Sequence, residues 1–213
     1  MKYILIVSIC LFSNTLFSQS KKFTNAMKTN IESIDSSFNN AESLLKLANS
    51  FERIANAEKD QWLPYYYAAL LQVNYGFRIN DPNRMDEIAD KAQSLINLAD
   101  SIKPKNSEIS TIKSMISICR LLVNPMQRYM KYGTESNKYL DEAISYDSSN
   151  PRPYLLKAQS VKNTPEQFGG GCGPAMPLIT TAIEKFKNFK PESDINPNWG
   201  LEMADQLLND CSK

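Results

Sequence analysis

Histidine is missing from all 213 residues of the sequence. It is the side chain most often used as a general base near neutral pH, and it is also the commonest protein metal ligand. A catalytic triad that depends on histidine is therefore excluded, and so are histidine-based zinc sites. This absence favours a protein that binds over one that catalyses, and we expect no catalytic residue, no metal site and no cofactor.

An excess of one charge is also missing, because 24 Lys and Arg side chains face 23 Asp and Glu side chains. A nucleic-acid-binding protein usually carries a basic excess, and a polybasic membrane-surface patch needs one as well. The balance therefore disfavours nucleic acid and the membrane surface as partners.

The only strongly apolar run near the start, from Tyr3 to Phe12, is too short to span a bilayer, which takes roughly 20 residues. With Lys2 before it and small or polar residues after it, the run is typical of a secretory signal peptide. We predict a signal peptide at residues 1–18 and a single mature domain at residues 19–213. The protein would then work in the periplasm or outside the cell, without stable membrane insertion.

Short joints that carry proline, asparagine or aspartate separate helix-length apolar patterns from Asn39 onward. Four joints recur at steps of 46, 44 and 46 residues: Asp60-Gln61-Trp62, Asn106-Ser107-Glu108, Asn150-Pro151-Arg152 and Asn196-Pro197-Asn198. Asp or Asn there can cap the following helix. No segment reads as a strand, so the pattern predicts an all-α fold.

A second marker repeats one helix earlier in each unit. Its triples are spaced four and then three residues apart, which puts each triple on one helix face: Leu47, Phe51 and Ile54; Ala92, Ile96 and Ala99; Ser136, Leu140 and Ala143; Ala182, Phe186 and Phe189. The central members are 45, 44 and 46 residues apart. This period predicts a right-handed α-solenoid of about four hairpin units of roughly 45 residues.

The set Ala92, Ile96, Ala99 and Pro104 resembles the small, large, small and proline positions in the second helix of a tetratricopeptide repeat. The period is longer than the roughly 34 residues of the usual repeat. The C-terminal third, with the stretches 165–171 and 196–200, resembles secreted tetratricopeptide-like proteins of the Bacteroidota. This resemblance implies export and a helical-repeat fold, and it implies no reaction.

A glycine-rich turn precedes a predicted helix and contains Gly169, Gly170 and Gly171. Backbone amides at a helix N-terminus can bind an anion, but the Lys and Ser/Thr of a phosphate loop do not follow. We favour a tight turn with positive φ angles that lets Phe168 tuck against the neighbouring hairpin. Trp199 belongs to the same C-terminal motif, for which we also predict a structural role.

Three cysteines remain after the predicted signal peptide: Cys119, Cys172 and Cys211. Cys172 lies where a helix N-terminus would lower a thiol pKa, which is the basis of an alternative thiol-dependent or redox function. A disulfide between Cys172 and Cys211 is the interpretation we favour, with Cys119 buried in a helix.

In tetratricopeptide proteins the first helices of the units line a concave binding surface. Residues with the chemistry to bind a partner there are aromatic or basic: Tyr65, Tyr66, Tyr67, Lys113, Arg120, Arg152 and Lys157. Adjacent aromatic residues on a helix point in several directions, so part of that cluster must be core. The overall prediction is a non-catalytic module that binds a protein or peptide. A structural subunit of an envelope assembly is a further alternative.

Overall fold

Helices form the regular structure of the chain. The computed structural model describes residues 20–212, and within that range no residue lies in a strand, which confirms the predicted all-helical class. The signal peptide predicted for residues 1–18 lies outside the described residues. Between residues 20 and 212 no helix combines the length and the apolar character needed to cross a membrane.

The helices are α1 (Lys21–Glu32), α2 (Ile34–Ser37), α3 (Ala41–Ala57), α4 (Trp62–Ile79), α5 (Pro82–Ile102), α6 (Ser107–Leu121), α7 (Pro125–Arg128), α8 (Thr134–Tyr146), α9 (Arg152–Asn163), α10 (Cys172–Asn188) and α11 (Leu201–Cys211). A π-helical turn, Tyr129–Gly133, joins α7 to α8. A 3₁₀ turn, Glu166–Phe168, lies between α9 and α10.

Among the predicted capping joints, Asn106 caps its helix as predicted, whereas the N-cap residues of α4 and α9, Gln61 and Pro151, provide no side-chain cap. The Asn106 side chain accepts hydrogen bonds from the backbone N–H groups of Glu108 and Ile109 and so caps α6. Asn150 accepts from the backbone N–H of Arg152, the first residue of α9. The joint at Asn196 differs, because α11 begins only at Leu201.

Packing follows the order of the chain from α3 onward. Each of the longer helices packs against the next, and α4 also contacts α6, as α6 does α9 and α9 does α11. Apolar residues of α1 and α3 to α6 form the larger buried cluster, and residues of α9, α10 and α11 form a smaller one.

The segment between α10 and α11 connects the C-terminal helices to the N-terminal part of the fold. Ile195 is buried in the larger cluster, and its carbonyl accepts a hydrogen bond from Tyr67 Oη at 3.1 Å. Asp194 forms an ion pair with Lys28 of α1 at 2.6 Å. The C-terminal part of the chain is thereby held against α1 and α4.

The glycine-rich turn folds back on its own helix rather than onto a neighbouring hairpin. Gly169 and Gly171 have φ angles of 83° and 95°, and the Gly171 N–H donates to the carbonyl of Val161 in α9. Because the turn closes against α9, Phe168 points outward and is 73% exposed. The prediction that Phe168 tucks against the next hairpin was wrong.

Gly170→Ala should destabilise the protein, because a Cβ at this position would lie 2.0 Å from the carbonyl oxygen of Thr164. We expect a loss of about 1–3 kcal/mol in the free energy of unfolding, measured by urea denaturation. Gly173→Ala is the matched control, since a Cβ there meets no atom within 4 Å and the residue lies in α10. Equal unfolding midpoints for the two variants would contradict the tight-turn interpretation.

Candidate ligand-binding cleft

The joints between helices line a cleft with a volume of about 910 Å³. One wall comes from the start of α4 and of α6, and another from the end of α8 with its following joint. The second half of α10 and the segment 189–197 complete it. Small-molecule sites typically occupy about 300–1,000 Å³, so the cleft is large enough for a sizeable organic ligand.

Aromatic side chains give the cleft its apolar surface. Trp62 at the start of α4 and Phe189 after α10 are half-buried, whereas Tyr146 at the end of α8 is exposed. Trp62 packs edge-on against Tyr66, with ring centroids 5.7 Å apart. The Trp62 ring is therefore held by the core beneath it.

A buried ion pair lies directly beside the cleft. Arg152 is 0% exposed, and its Nη1 lies 2.9 Å from Oε1 of Glu108, whose side chain is 12% exposed and lines the cleft. Burial raises the pKa of Glu108, and the nearby Arg152 guanidinium opposes that shift. An unpaired charge at this depth would be costly, so each side chain needs the other.

Further hydrogen bonds complete this polar network. Glu108 Oε2 accepts from Tyr66 Oη at 3.1 Å, and Tyr66 Oη in turn accepts from Trp199 Nε1 at 2.8 Å. Asn150 Nδ2 donates to Glu108 Oε1 at 2.8 Å. Since the network joins residues of α4, α6 and the C-terminal joint, it fixes the relative position of the cleft walls.

Arg152 also supports the aromatic wall directly. Its guanidinium lies 4.6 Å from the centroid of the Phe189 ring and 5.5 Å from that of Trp199. Its Nη2 donates to the carbonyl of Pro197. One buried cation therefore holds both the Phe189 ring and the backbone of the 189–197 segment.

Charged side chains of both signs surround the opening. Lys105, Lys185 and Lys190 line it together with the carboxylates of Asp147, Glu184 and Glu192. Lys185 Nζ already donates to the Ser148 carbonyl at 2.6 Å and lies 4.5 Å from the Tyr154 ring centroid.

Four of the predicted partner-binding residues need correction. Tyr65, Tyr66, Tyr67 and Arg152 are buried, so they do not offer a surface to a peptide. Tyr67 stacks on Phe51 at 5.0 Å, and burial raises the pKa values of the Tyr66 and Tyr67 hydroxyls. The three tyrosines lie on α4, which is buried on nearly every side because α3, α5 and α6 all pack against it.

The other three predicted residues are only partly exposed and are engaged in ion pairs. The pairs are Lys113 with Asp100 at 2.8 Å, Arg120 with Asp90 at 2.8 Å, and Lys157 with Asp141. None of the three lines the cleft.

Sequence reasoning missed Glu108 and Asn150 as partners in one site. Both belong to the repeating joints, whose spacing and residue types predicted the period and the helix caps but no site. Glu108 and Arg152 hold the same position in consecutive joints, 44 residues apart, and they touch each other. Opposite charges at equivalent positions of consecutive joints were the signal that could have revealed the site.

Among residues 20–212, two cysteines are bonded to each other and the third is a buried free thiol. Cys172 at the start of α10 is bonded to Cys211 at the end of α11, and burial raises the pKa of the free thiol of Cys119 to about 12. Between residues 20 and 212, no three His, Cys, Asp or Glu side chains are placed together as a metal ion would need.

A separate apolar strip lies outside the cleft, on α7 and the π-helical turn. Met126, Tyr129 and Met130 are 95%, 51% and 79% exposed. Their spacing of three and four residues puts them on one face of the helical segment.

Comparison with known proteins was informative for the solved structures. No protein-family model matches the chain, and a search of curated proteins also gave no match. Among solved structures, the HusA haemophore from Porphyromonas gingivalis, a bacterium of the Bacteroidota, is similar over 91% of this chain and 94% of its own, with 33% sequence identity and a TM-score of 0.80. Likeness of this extent in both sequence and structure means that the chain belongs to the same family as HusA.

Proposed function

We propose that this protein is an exported, non-catalytic binding protein for haem or a closely related porphyrin. The observation that carries the proposal is the 33% identity to the HusA haemophore over 94% of that chain. Export to the periplasm or the exterior agrees with the signal peptide predicted at residues 1–18. The relationship to a haemophore favours a small molecule over a peptide as the ligand. The burial of the tyrosines predicted to contact a peptide also disfavours the peptide.

Porphyrin chemistry suits what the chain offers. The macrocycle is flat and apolar, and the carboxylates of a natural porphyrin project from its edge. With no histidine in the sequence, the commonest iron ligand is not available, and the proposal assigns the affinity to aromatic packing and ionic contacts. The cleft combines aromatic walls with cationic side chains at its opening.

We further propose that the single domain of residues 19–213 is a right-handed solenoid of tetratricopeptide-like hairpins, with about four units. Contacts one period apart support it: Arg128 binds Asp86 with a sequence separation of 42, and Asn150 binds Ser107 with a separation of 43. Stacked repeats place equivalent residues of neighbouring units side by side.

Titration of the mature protein with haemin tests the proposed function. We expect a saturable change in the porphyrin absorbance band that reaches its end point at one ligand per chain. Metal-free protoporphyrin should also bind, since the proposed contacts involve the ring and its carboxylates. The urea-unfolded, reduced chain is the control. A linear, non-saturating response equal to that control would overturn the proposal.

A further inference from the structure

We propose that the cleft is the porphyrin site, with Lys105 and Lys190 binding the carboxylates and with Trp62 and Phe189 packing against the ring. This inference rests on the function proposed above and adds to it a location, an orientation and the residues responsible.

The two lysines differ from other cations near the cleft. Within residues 20–212, neither Lys105 nor Lys190 makes an ion pair within 4 Å, and both are exposed. Lys185 is already engaged with a carbonyl and a tyrosine ring. An ammonium group without a partner can accept a ligand carboxylate without first breaking a protein contact, so little binding energy is lost.

Lys105 is held in an uncommon backbone conformation. Its φ angle is 56°, in the left-handed region that few residues other than glycine and asparagine adopt. The residue precedes Asn106, which caps α6, so the joint is fixed on its C-terminal side. This geometry sets the starting position of the Lys105 side chain at the cleft opening.

Protein contacts hold the two aromatic rings of the cleft, Trp62 and Phe189, in place. Trp62 is supported by Tyr66 and Phe189 by Arg152, as the centroid distances of 5.7 Å and 4.6 Å indicate. A flat ring that packs on such a wall orders few side chains, which lowers the entropic cost of binding.

Charges of both signs at the opening should orient an anionic ligand. Asp147, Glu184 and Glu192 repel an anionic edge, whereas Lys105 and Lys190 attract it. A ligand with carboxylates on one edge should therefore direct that edge toward the two lysines and away from the protein carboxylates.

The exposed strip of Met126, Tyr129 and Met130 is the competing location. It offers apolar contact and a thioether that can ligate iron. Neither methionine lines the cleft. A Met126→Ala/Met130→Ala double variant therefore separates the two locations.

The test compares two double variants with the same change in charge. Lys105→Glu/Lys190→Glu should weaken the affinity for protoporphyrin about tenfold or more, because two attractive contacts become repulsive. Lys103→Glu/Lys187→Glu is the matched control: both lysines are exposed, and among the described residues neither makes an ion pair within 4 Å and neither lines the cleft. We expect its affinity to equal that of the wild type.

Protoporphyrin dimethyl ester supplies a second readout, because it keeps the ring and removes the charges. The cleft variant and the wild type should bind it with equal affinity. Equal weakening of protoporphyrin binding by both charge variants, or loss of binding in the methionine variant alone, would overturn the inference while leaving the proposed function intact. A wild-type protein that binds no porphyrin would overturn both.

Discussion

Replacing Arg152 with methionine should lower the free energy of unfolding by about 3–5 kcal/mol, the cost of leaving a buried charge without its partner. Glu108 would keep the hydrogen bonds from Tyr66 and Asn150 but lose its only ion pair within the described residues. The Phe189 ring and the Pro197 carbonyl would lose a contact at the same time. Urea denaturation monitored by circular dichroism measures the loss.

The double variant Glu108→Gln/Arg152→Met should recover most of this loss. Glutamine is neutral, and its carbonyl oxygen can still accept a hydrogen bond from Tyr66 or Asn150. Lys46→Met is the surface control, because the Lys46–Glu42 pair is exposed on both sides. If Arg152→Met moved the unfolding midpoint no more than Lys46→Met does, Glu108 would not depend on Arg152.

The stability lost in Arg152→Met should depend on pH, because burial raises the pKa of Glu108 above its ordinary value of 4.5. Removing Arg152 removes an interaction that holds this pKa down, so the pKa should rise further. A neutral Glu108 carries no charge for Arg152 to balance. The loss in free energy of unfolding caused by Arg152→Met, called the deficit here, should therefore be smallest below pH 4.5. The deficit should grow as the pH rises through the raised folded-state pKa.

Local sequence signals predicted the helices well because their causes are local. Apolar spacing of three and four residues gave the all-helical class. Asn106 was placed correctly as a cap because its hydrogen bonds reach only two and three residues along the chain. Asn196 fits the same repeat, but no helix begins there. Trp199 packs against the larger buried cluster, and α11 begins only at Leu201.

The cleft could not be predicted from such signals. It depends on the segment 189–197 reaching α1 and α4, through contacts such as Tyr67 to Ile195, which are separated by 128 residues. The tyrosine cluster illustrates the same limit. Periodicity required part of it to be core, but only the packing of α3, α5 and α6 around α4 decides that all three tyrosines are buried.

Replacing both Cys172 and Cys211 with serine should lower the free energy of unfolding by about 4 kcal/mol, the loop-closure value for a cross-link of this length. The bonded residues are 39 positions apart and join the start of α10 to the end of α11. The smaller buried cluster has few members, and α11 reaches the rest of the chain through α9 and α10. We therefore expect α11 to lose hydrogen-exchange protection before the other helices do.

Reductant supplies the control for this prediction. It should destabilise the wild type and have no further effect on the double serine variant. Thiol titration of the folded, unreduced mature protein should find no reactive cysteine, because among residues 20–212 Cys119 is buried and Cys172 and Cys211 are bonded to each other. A reactive thiol at Cys172 in that state would instead support the thiol-dependent alternative. Residues of α10 line the cleft, whereas residues of α11 do not. Loss of the disulfide should therefore weaken porphyrin binding only to the extent that it loosens α10. We expect the affinity to fall together with hydrogen-exchange protection in α10, not with protection in α11.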